Sequence, residues 1–460
     1  MAWRGGPARR ELTSALRSGE LVDGVELLQE LIRIPSVNPP GDGEGAVAEL
    51  LRDRLAAAGL GTQILSSPAG RPSLVARLPG PSDRPPLVLL SHTDVVPVER
   101  ERWRHDPFGG ETIAGELWGR GTLDMKGVAV MHAEAVVALA SQEHESGREV
   151  IVVAVADEEA GGGEGAGWLV AEHGERVGFT DGGPPPEVLG EGGFGLSGIL
   201  ARPLMPIVLG EKAPLQFRAR ATGTPGHGGL PPEHQAIREL ARFVEAVSGP
   251  RQPRLHPVMR EQFATLAGVA DGVQGRLFGL LAGPTGHLAV RALAPRLRSR
   301  AGAIGHLIAD SITPTEIHGG YKSNVVPGEA EVRFDARLLP DTDADGLLRE
   351  LAGVGRRCDV EVEEIWRTGG PASPRSSLFD VLAEVSSRLP GNPVPVPSLT
   401  PGVTDLRFFR ARGAIAYGWV PLVLTPELLA TFHGDDERVP LDGFAAAVSA
   451  MTEVVTTAGS

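Results

Sequence analysis

The sequence predicts an α/β fold, in which a discontinuous larger domain has a mixed sheet flanked by helices and carries an inserted α+β domain of ferredoxin-like type. Two short, wholly apolar runs at residues 87–90 and 151–156 are typical of strands buried on both faces. Residues 127–140 between them are rich in Ala and Val, which predicts a buried crossover helix. Together they form a strand–helix–strand unit, the building block of an α/β sheet.

Helical periodicity predicts further elements of the larger domain. Apolar residues recur at helical spacing in residues 23–34 and 45–58, and Gly59 is well placed to end the second helix. Residues 441–456 predict a last helix, so the larger domain resumes after the smaller one. The predicted domains are 1–211 with 367–460, and 212–366.

The smaller domain combines alternating strands with amphipathic helices, which predicts an antiparallel α+β layer. The predicted strands are residues 215–221, 329–338 and 359–365, and the predicted helices are residues 233–247 and 344–354. Residues 250–300 fit neither pattern and predict an insertion with helices of its own.

Composition and charge exclude several classes of protein. The 460 residues carry a formal charge of −14, which disfavours binding to nucleic acid or to an acidic membrane surface. No apolar run approaches the ~18 residues of a membrane helix. The single Cys358 permits no internal disulfide, and residues 1–19 lack the apolar core of a secretion signal. We therefore expect a cytoplasmic protein without a nucleic-acid or membrane partner.

Polar residues stand where the predicted buried strands end. His92 and Asp94 follow the first strand, and Glu158 and Glu159 follow the second. In open α/β sheets, ligands bind at the carboxyl ends of the strands. A histidine or an acidic pair in such a turn is ordinarily solvated, but a position directly after a buried strand makes that interpretation less convincing.

Three further residues with metal-binding side chains stand in glycine-bounded turns: Asp124, Glu191 and His433. With His92 and Glu159 they supply two imidazoles and three carboxylates. A carboxylate can bridge two metal ions about 3.5–4 Å apart, and such a pair polarises a carbonyl while activating water. The set therefore predicts a site for two zinc ions.

These residues lie in motifs that resemble the M20 family of metallopeptidases and amidohydrolases, which includes glutamate carboxypeptidase, acetylornithine deacetylase, succinyl-diaminopimelate desuccinylase and aminoacylase. The motifs are Ser91-His-Thr-Asp-Val-Val-Pro97, Gly119-Arg-Gly-Thr-Leu-Asp-Met-Lys-Gly127, Ala156-Asp-Glu-Glu159, Glu191-Gly-Gly193, Asn324-Val-Val-Pro327 and His433-Gly-Asp-Asp-Glu-Arg-Val439. The resemblance implies a hydrolase that cleaves the amide bond of small dipeptides or N-acyl amino acids with a free carboxylate.

The resemblance also implies the metal ligands. Asp124 would bridge two Zn²⁺ ions, with Co²⁺ or Mn²⁺ as alternatives. His92 and Glu191 would complete one position, and Glu159 and His433 the other. Each metal would then keep an open place for water, as catalytic zinc does.

The same resemblance implies the catalytic groups. Glu158 resembles the general base that takes a proton from the metal-bridging water, although an acid that merely supports the ligands is the alternative. Asp94 resembles the carboxylate that fixes the tautomer of His92.

The smaller domain resembles a lid that often forms a homodimer. On it, His227 resembles the histidine that stabilises the oxyanion, and Asn324 resembles a substrate-binding residue. Arg337 resembles the group that grips the substrate carboxylate, but an ion pair with Asp335 on the same face of its strand is an alternative role.

Two other functions compete with this one. The glycine-rich residues 161–167 follow a buried strand, as a dinucleotide-binding loop would, but acidic neighbours and the absence of a P-loop lysine oppose a bound phosphate. A metal-binding scaffold of the same fold without activity is the second alternative.

Overall fold

The computed structural model describes residues 19–81, 83–141, 146–300 and 303–459. The expectation about a secretion signal falls on residues 1–19, of which all but Gly19 lie outside the described residues. Over the part of the chain that is described, no helix is long and apolar enough to cross a bilayer.

The chain forms two compact units. The large unit comprises Met1–Leu209, Ser373–Ser398 and Thr404–Ser460, and the small unit comprises Gly210–Ala372 and Leu399–Val403. These limits differ by a few residues from the predicted borders after residues 211 and 366. The segment Leu399–Val403 was predicted with the larger domain, because nothing in its composition separates it from the residues around it.

The large unit is built on an eight-stranded mixed sheet with the order β1-β2-β6-β3-β7-β17-β8-β16. Its strands are β1 (Gly61–Ser66), β2 (Pro72–Leu78), β3 (Leu87–His92), β6 (Val150–Val155), β7 (Glu187–Leu196), β8 (Leu204–Glu211), β16 (Val394–Thr400) and β17 (Ile415–Leu424). A small antiparallel sheet contains β4 (Glu111–Ile113), β5 (Glu116–Trp118) and β18 (Arg438–Pro440). The parallel centre of the eight-stranded sheet is formed by β6, β3, β7 and β17.

Helices flank the large sheet, as the sequence predicts. They are α1 (Gly19–Ile32), α2 (Glu44–Ala57), α3 (Lys126–Ala140), α4 (Trp168–Glu172), α11 (Ser377–Arg388), α12 (Leu406–Ala411), α13 (Pro426–Leu429) and α14 (Leu441–Gly459). Helix α3 is the predicted crossover between the parallel neighbours β3 and β6, and it is buried over most of its length. Gly59 follows the last turn of α2 with φ +88°, a left-handed conformation that ends the helix.

The small unit has a five-stranded antiparallel sheet with the order β11-β12-β14-β9-β15. Its elements are β9 (Ala213–Thr222), β10 (Gly226–His227), α5 (Ala236–Val247), β11 (Gly249–Pro250), β12 (Ser311–Gly319), β13 (Val325–Val326), β14 (Glu329–Leu338), α10 (Ala344–Arg357) and β15 (Val360–Arg367). Without β11, the order β12-β14-β9-β15 and the chain order β9-α5-β12-β14-α10-β15 are those of a ferredoxin-like βαββαβ unit. Its core includes Phe217 and Phe334, whose stacked rings lie 4.6 Å apart.

Residues 250–300 carry the helices of the insertion: α6 (Pro257–Val269), α7 (Gly272–Ala282) and α8 (Gly286–Arg300), followed by α9 (Ala303–His306). Strand β12 was not predicted. Most of its residues are exposed, and a shift of register between Pro314 and Glu316 interrupts its pairing with β14. The alternation of apolar residues that reveals a half-buried strand is therefore missing.

Candidate metal centre and active site

The predicted metal-binding residues of the large unit converge at the carboxyl edge of its parallel strands. His92 ends β3, and it pairs in register with Val155, the last residue of β6. Glu158 and Glu159 follow β6 in a short 3₁₀ turn. Because parallel strands end at the same edge, the polar residues after β3 and β6 are brought together.

One group of ligand atoms contains His92, Asp124 and Glu191. The Nε2 atom of His92 lies 3.0 Å from Asp124 Oδ1 and 3.7 Å from Glu191 Oε2. One donor atom from each of the three residues lies within 4.8 Å of the other two. This spacing suits the coordination sphere of a single cation.

A second group contains Asp124, Glu159 and His433. His433 Nε2 lies 2.6 Å from Asp124 Oδ2 and 3.5 Å from Glu159 Oε1. Asp124 is thus shared by both groups and turns one carboxylate oxygen toward each histidine. This is the arrangement that a bridging carboxylate requires.

The carboxylates around His92 and His433 favour the protonated form of both imidazoles. The hydrogen bond to Asp124 and the nearby carboxylate of Glu159 outweigh burial and raise the pKa of His433 to about 10. Burial opposes the charge of His92, but hydrogen bonds to Asp124, Asp94 and Glu191 raise its pKa well above the ordinary value. Positive charge is therefore favoured at both positions.

The carboxylates at the centre repel one another. Burial, partly offset by the hydrogen bond from His92, raises the pKa of Glu191 to about 7. Burial and the nearby charge of Glu191 raise the pKa of Glu158 well above its usual range. Cations placed among these acids would relieve both the repulsion and the cost of burial.

Unpaired oxygen atoms show that the residues present fit a metal. Among the described residues, Glu159 Oε1 and both carboxylate oxygens of Asp405 are buried without a hydrogen-bond partner. Asp405 lines a cavity of about 10 Å³ with Ser91, His92 and Glu191. Imidazole and carboxylate donors of this kind suit zinc, cobalt and manganese.

Asp94 supports both the ligands and the predicted base. Its carboxylate accepts hydrogen bonds from Asn38 Nδ2 at 2.8 Å and from the backbone N–H groups of Glu158 and Glu159 at 3.2 and 3.0 Å. The closest acceptor of His92 Nδ1 is the backbone carbonyl of Asp94 at 2.9 Å, whereas the carboxylate is 3.4 Å away. The orientation of His92 therefore depends on the main chain of Asp94 as well as on its side chain.

Sequence reasoning assigned no role to two residues of this region. Asp405 is buried and lines the same small cavity as Glu191, and only this burial draws attention to it. Asn38 lies far from every motif in sequence, and its contact with Asp94 is visible only after folding.

The small unit brings His227 and Asn324 together. Strands β10 and β13 pair His227 with Val325, and the N–H of Gly228 donates to the carbonyl of Asn324 at 2.9 Å. Both His227 and Asn324 are exposed. The N–H of Gly229 donates to His227 Nδ1 at 3.0 Å, which leaves the proton of the neutral ring on Nε2.

Arg337 forms a two-pronged ion pair with Asp335 on the same face of β14, with distances of 2.8 and 2.9 Å. This contact is the alternative role that the sequence left open. The Arg337 side chain keeps 38% of its surface exposed, so part of it stays accessible.

Close packing requires glycine at two positions of the stretch 161–167. A Cβ atom on Gly162 would lie 2.1 Å from Asp405 Oδ1, and one on Gly165 would lie 1.8 Å from the carbonyl oxygen of Ala156. Arg407 Nη2 also donates to the carbonyl of Gly161 at 2.6 Å. These contacts explain Gly162 and Gly165 without a nucleotide.

A mixed sheet with imidazoles and carboxylates clustered at its carboxyl edge defines a metallohydrolase of the metallopeptidase and amidohydrolase class. The chain belongs to peptidase family M20/M25/M40, whose model matches residues 88–457. It is 28% identical to aminoacylase-1 of Mus musculus over 449 residues, which cover 95% of each protein. The family membership predicted from the motifs is confirmed.

Solved structures support the predicted fold class. An M20 family metallo-carboxypeptidase from Sulfolobus solfataricus matches with a TM-score of 0.69 at 17% identity, over 94% of this chain and 98% of that one. Human carnosine dipeptidase 1 matches with a TM-score of 0.62 at 15% identity, over 96% and 98%. The predicted α/β fold with a second, inserted domain is confirmed.

Proposed function

We propose that the protein hydrolyses the amide bond of small N-acyl amino acids or dipeptides that carry a free carboxylate, with two metal ions at the cluster. The observation that carries this proposal is the position of Asp124 between His92 and His433, with one carboxylate oxygen directed at each. A site for a single cation has no need of a shared carboxylate.

One ion would be bound by His92 and Glu191, and the other by Glu159 and His433. Asp124 would bind both ions. Two zinc ions are proposed, with Co²⁺ or Mn²⁺ as substitutes. When bound, such a pair lowers the pKa of water and polarises the amide carbonyl.

Glu158 is proposed as the general base. It follows β6 beside the ligand Glu159, and its backbone N–H is held by Asp94 at 3.2 Å. Its carboxylate would take a proton from the attacking water and pass it to the leaving amine, so that the amine departs neutral.

His227 and Asn324 are proposed to act on the substrate from the small unit, which would serve as a lid. The hydrogen bond from Gly229 to His227 Nδ1 supports this role, because it fixes Nε2–H as the free donor of the ring. A donor of this kind stabilises the oxyanion that forms when water adds to the carbonyl.

N-acyl amino acids are the preferred substrate class in this proposal. Support comes from the similarity to aminoacylase-1 over nearly the full chain, and from a relative named N-fatty-acyl-amino acid synthase/hydrolase in Bos taurus that is 25% identical over 394 residues. The exposed part of the Arg337 side chain would bind the substrate carboxylate through charge-assisted hydrogen bonds.

A homodimer through the small unit is also proposed. Strand β11 covers only Ser311 and Ile312 of β12, and from Thr313 onward the outer edge of β12 has no strand partner in the described part of the chain. Ile317 on this strand and Tyr321, two residues after its end, are 72% and 85% exposed. An open strand edge with exposed apolar side chains favours pairing with a second copy.

A hydrolysis screen tests the proposal. Protein stripped of metal and then supplied with Zn²⁺, Co²⁺ or Mn²⁺ is assayed on a panel of N-acyl amino acids and dipeptides, with release of the free amino acid as the readout. We expect turnover that depends on metal and is abolished in Glu158→Gln. Tight metal binding without hydrolysis of any panel member would instead favour the inactive metal-binding scaffold.

A further inference from the structure

A buried ion pair joins the two loops that carry Asp124 and His433. Arg120 and Glu437 are 2% and 0% exposed, and Arg120 Nη1 donates to Glu437 Oε2 at 2.6 Å. Arg120 precedes Asp124 by four residues and Glu437 follows His433 by four. The pair therefore connects segments that are distant in sequence and adjacent at the cluster.

Glu437 also holds the backbone of the Asp124 turn. Its carboxylate accepts hydrogen bonds from the N–H groups of Gly121, Leu123 and Asp124 at 3.1, 2.7 and 3.2 Å. These charge-assisted hydrogen bonds restrict the backbone conformation of the turn that carries Asp124.

Arg120 holds the other loop. Its Nη2 donates to the carbonyl of Gly434, the residue after His433, at 2.8 Å. The N–H of Gly119 donates to the carbonyl of Glu437 at 2.9 Å. The two loops are thus tied together by both side chains and main chain.

We propose that the Arg120–Glu437 pair is a positioning device that sets the distance between Asp124 and His433, and with it the affinity of the metal position formed by Asp124, Glu159 and His433. Two of the three ligands of that position lie in the joined loops, against one of three for the position with His92 and Glu191. The inference rests on the proposed function, because it requires metal ions at the cluster.

The test uses Glu437→Gln, which keeps the shape of the side chain but removes its charge and leaves Arg120 opposite an amide. Metal-free protein is titrated with Zn²⁺ in competition with a chromogenic chelator, and His433→Ala identifies the binding step that belongs to the His433 position. We expect that step to weaken about 10- to 100-fold, the usual effect of losing a partner behind the ligands. The other step should change less.

Glu187→Gln is the matched control, because Glu187 also forms a buried pair, with Arg148 Nη1 at 2.6 Å, and touches none of the cluster residues in the described contacts. Both variants should lose stability toward urea, but only Glu437→Gln should lose metal affinity. Arg120→Lys keeps a positive charge yet cannot reach Glu437 and Gly434 with the same fork, so its affinity should lie between wild type and Glu437→Gln. If Glu437→Gln does not fold, the Zn²⁺ titration of Arg120→Lys still tests the inference.

Wild-type affinity at both steps in folded Glu437→Gln or Arg120→Lys would overturn the inference, as would equal weakening in Glu187→Gln. A wild-type protein that lacks two binding steps would overturn it as well. A wild-type protein that binds two ions but hydrolyses nothing would contradict the proposed hydrolase alone, because the titration is independent of turnover.

Discussion

Asp124 Oδ2 lies 2.6 Å from His433 Nε2, although 309 residues separate the two in sequence. This contact joins the turn before α3 to the loop before β18, and it brings together one predicted metal ligand from the first and one from the last segment of the discontinuous large unit.

Adjacent glutamates should differ in what they lose on substitution. Glu158→Gln should keep both metal ions and lower kcat on the order of 10²–10⁴-fold, because it removes the proton acceptor and no ligand. Glu159→Gln should lower metal occupancy, because Glu159 belongs to the His433 group. Metal analysis and kinetics of both variants provide the measurement. Near-normal turnover of fully loaded Glu158→Gln would rule out the base role.

His227→Ala should lower kcat with little change in KM, because a donor to the oxyanion acts mainly in the transition state. Exposed His234, also in the small unit, provides the control, and His234→Ala should leave both constants unchanged. If the site is completed across a dimer, mixing inactive His227→Ala with inactive Glu158→Gln should restore part of the activity. Subunit exchange without any recovery would assign His227 to its own chain.

Arg337 should determine the preference for a free carboxylate. Replacing the substrate carboxylate by a neutral amide should cost roughly 2–4 kcal/mol, or about 30- to 1,000-fold in kcat/KM, because it removes the charged contact between the substrate and the guanidinium. For Arg337→Ala, kcat/KM should be nearly the same on acid and amide substrates. Arg337→Lys should lose much of the preference for the acid.

Arg333 on the same strand is the control for Arg337, because it pairs with Glu316 and Glu331 rather than with Asp335. Arg333→Ala should keep the wild-type preference. Comparable rates on acid and amide substrates in the wild type would leave Arg337 with its structural pair to Asp335 alone.

His132 should make the fold sensitive to acid. The side chain on α3 is 0% exposed, neither ring nitrogen has a hydrogen-bond partner among the described residues, and burial lowers its pKa to about 3. An unfolded histidine has a pKa of about 6.5, so between these values only the unfolded chain takes up the proton. Stability is therefore lost as the pH falls from 6.5 toward 3.

His132→Leu removes this proton uptake. Relative to wild type, the variant should gain about 2 kcal/mol of unfolding free energy between pH 8 and pH 5, measured by urea unfolding of metal-free protein. His234→Leu, at an exposed position, should show no such gain. A His132→Leu difference that is the same at both pH values would mean that the ring takes up its proton in the folded chain as readily as in the unfolded chain.

Local sequence patterns were enough to predict the parallel centre of the sheet, the crossover helix and the polar residues at the strand ends. Leu87–His92 and Val150–Val155 are apolar up to their last residues, and local hydrophobic pattern reports local burial directly. The ferredoxin-like character of the small unit followed from the same alternation, visible in Glu329–Leu338.

The contacts between groups distant in sequence could be read only from the tertiary structure. The sharing of Asp124 by two histidines, the pairing of Arg337 with Asp335 and the Arg120–Glu437 contact each depend on how loops and strands are arranged, which no local periodicity encodes. The exposed edge strand Ser311–Gly319 escaped prediction for the converse reason. Its pairing is decided by main-chain hydrogen bonds to a strand further along the chain, and its side chains, mostly turned to solvent, carry no apolar alternation to reveal it.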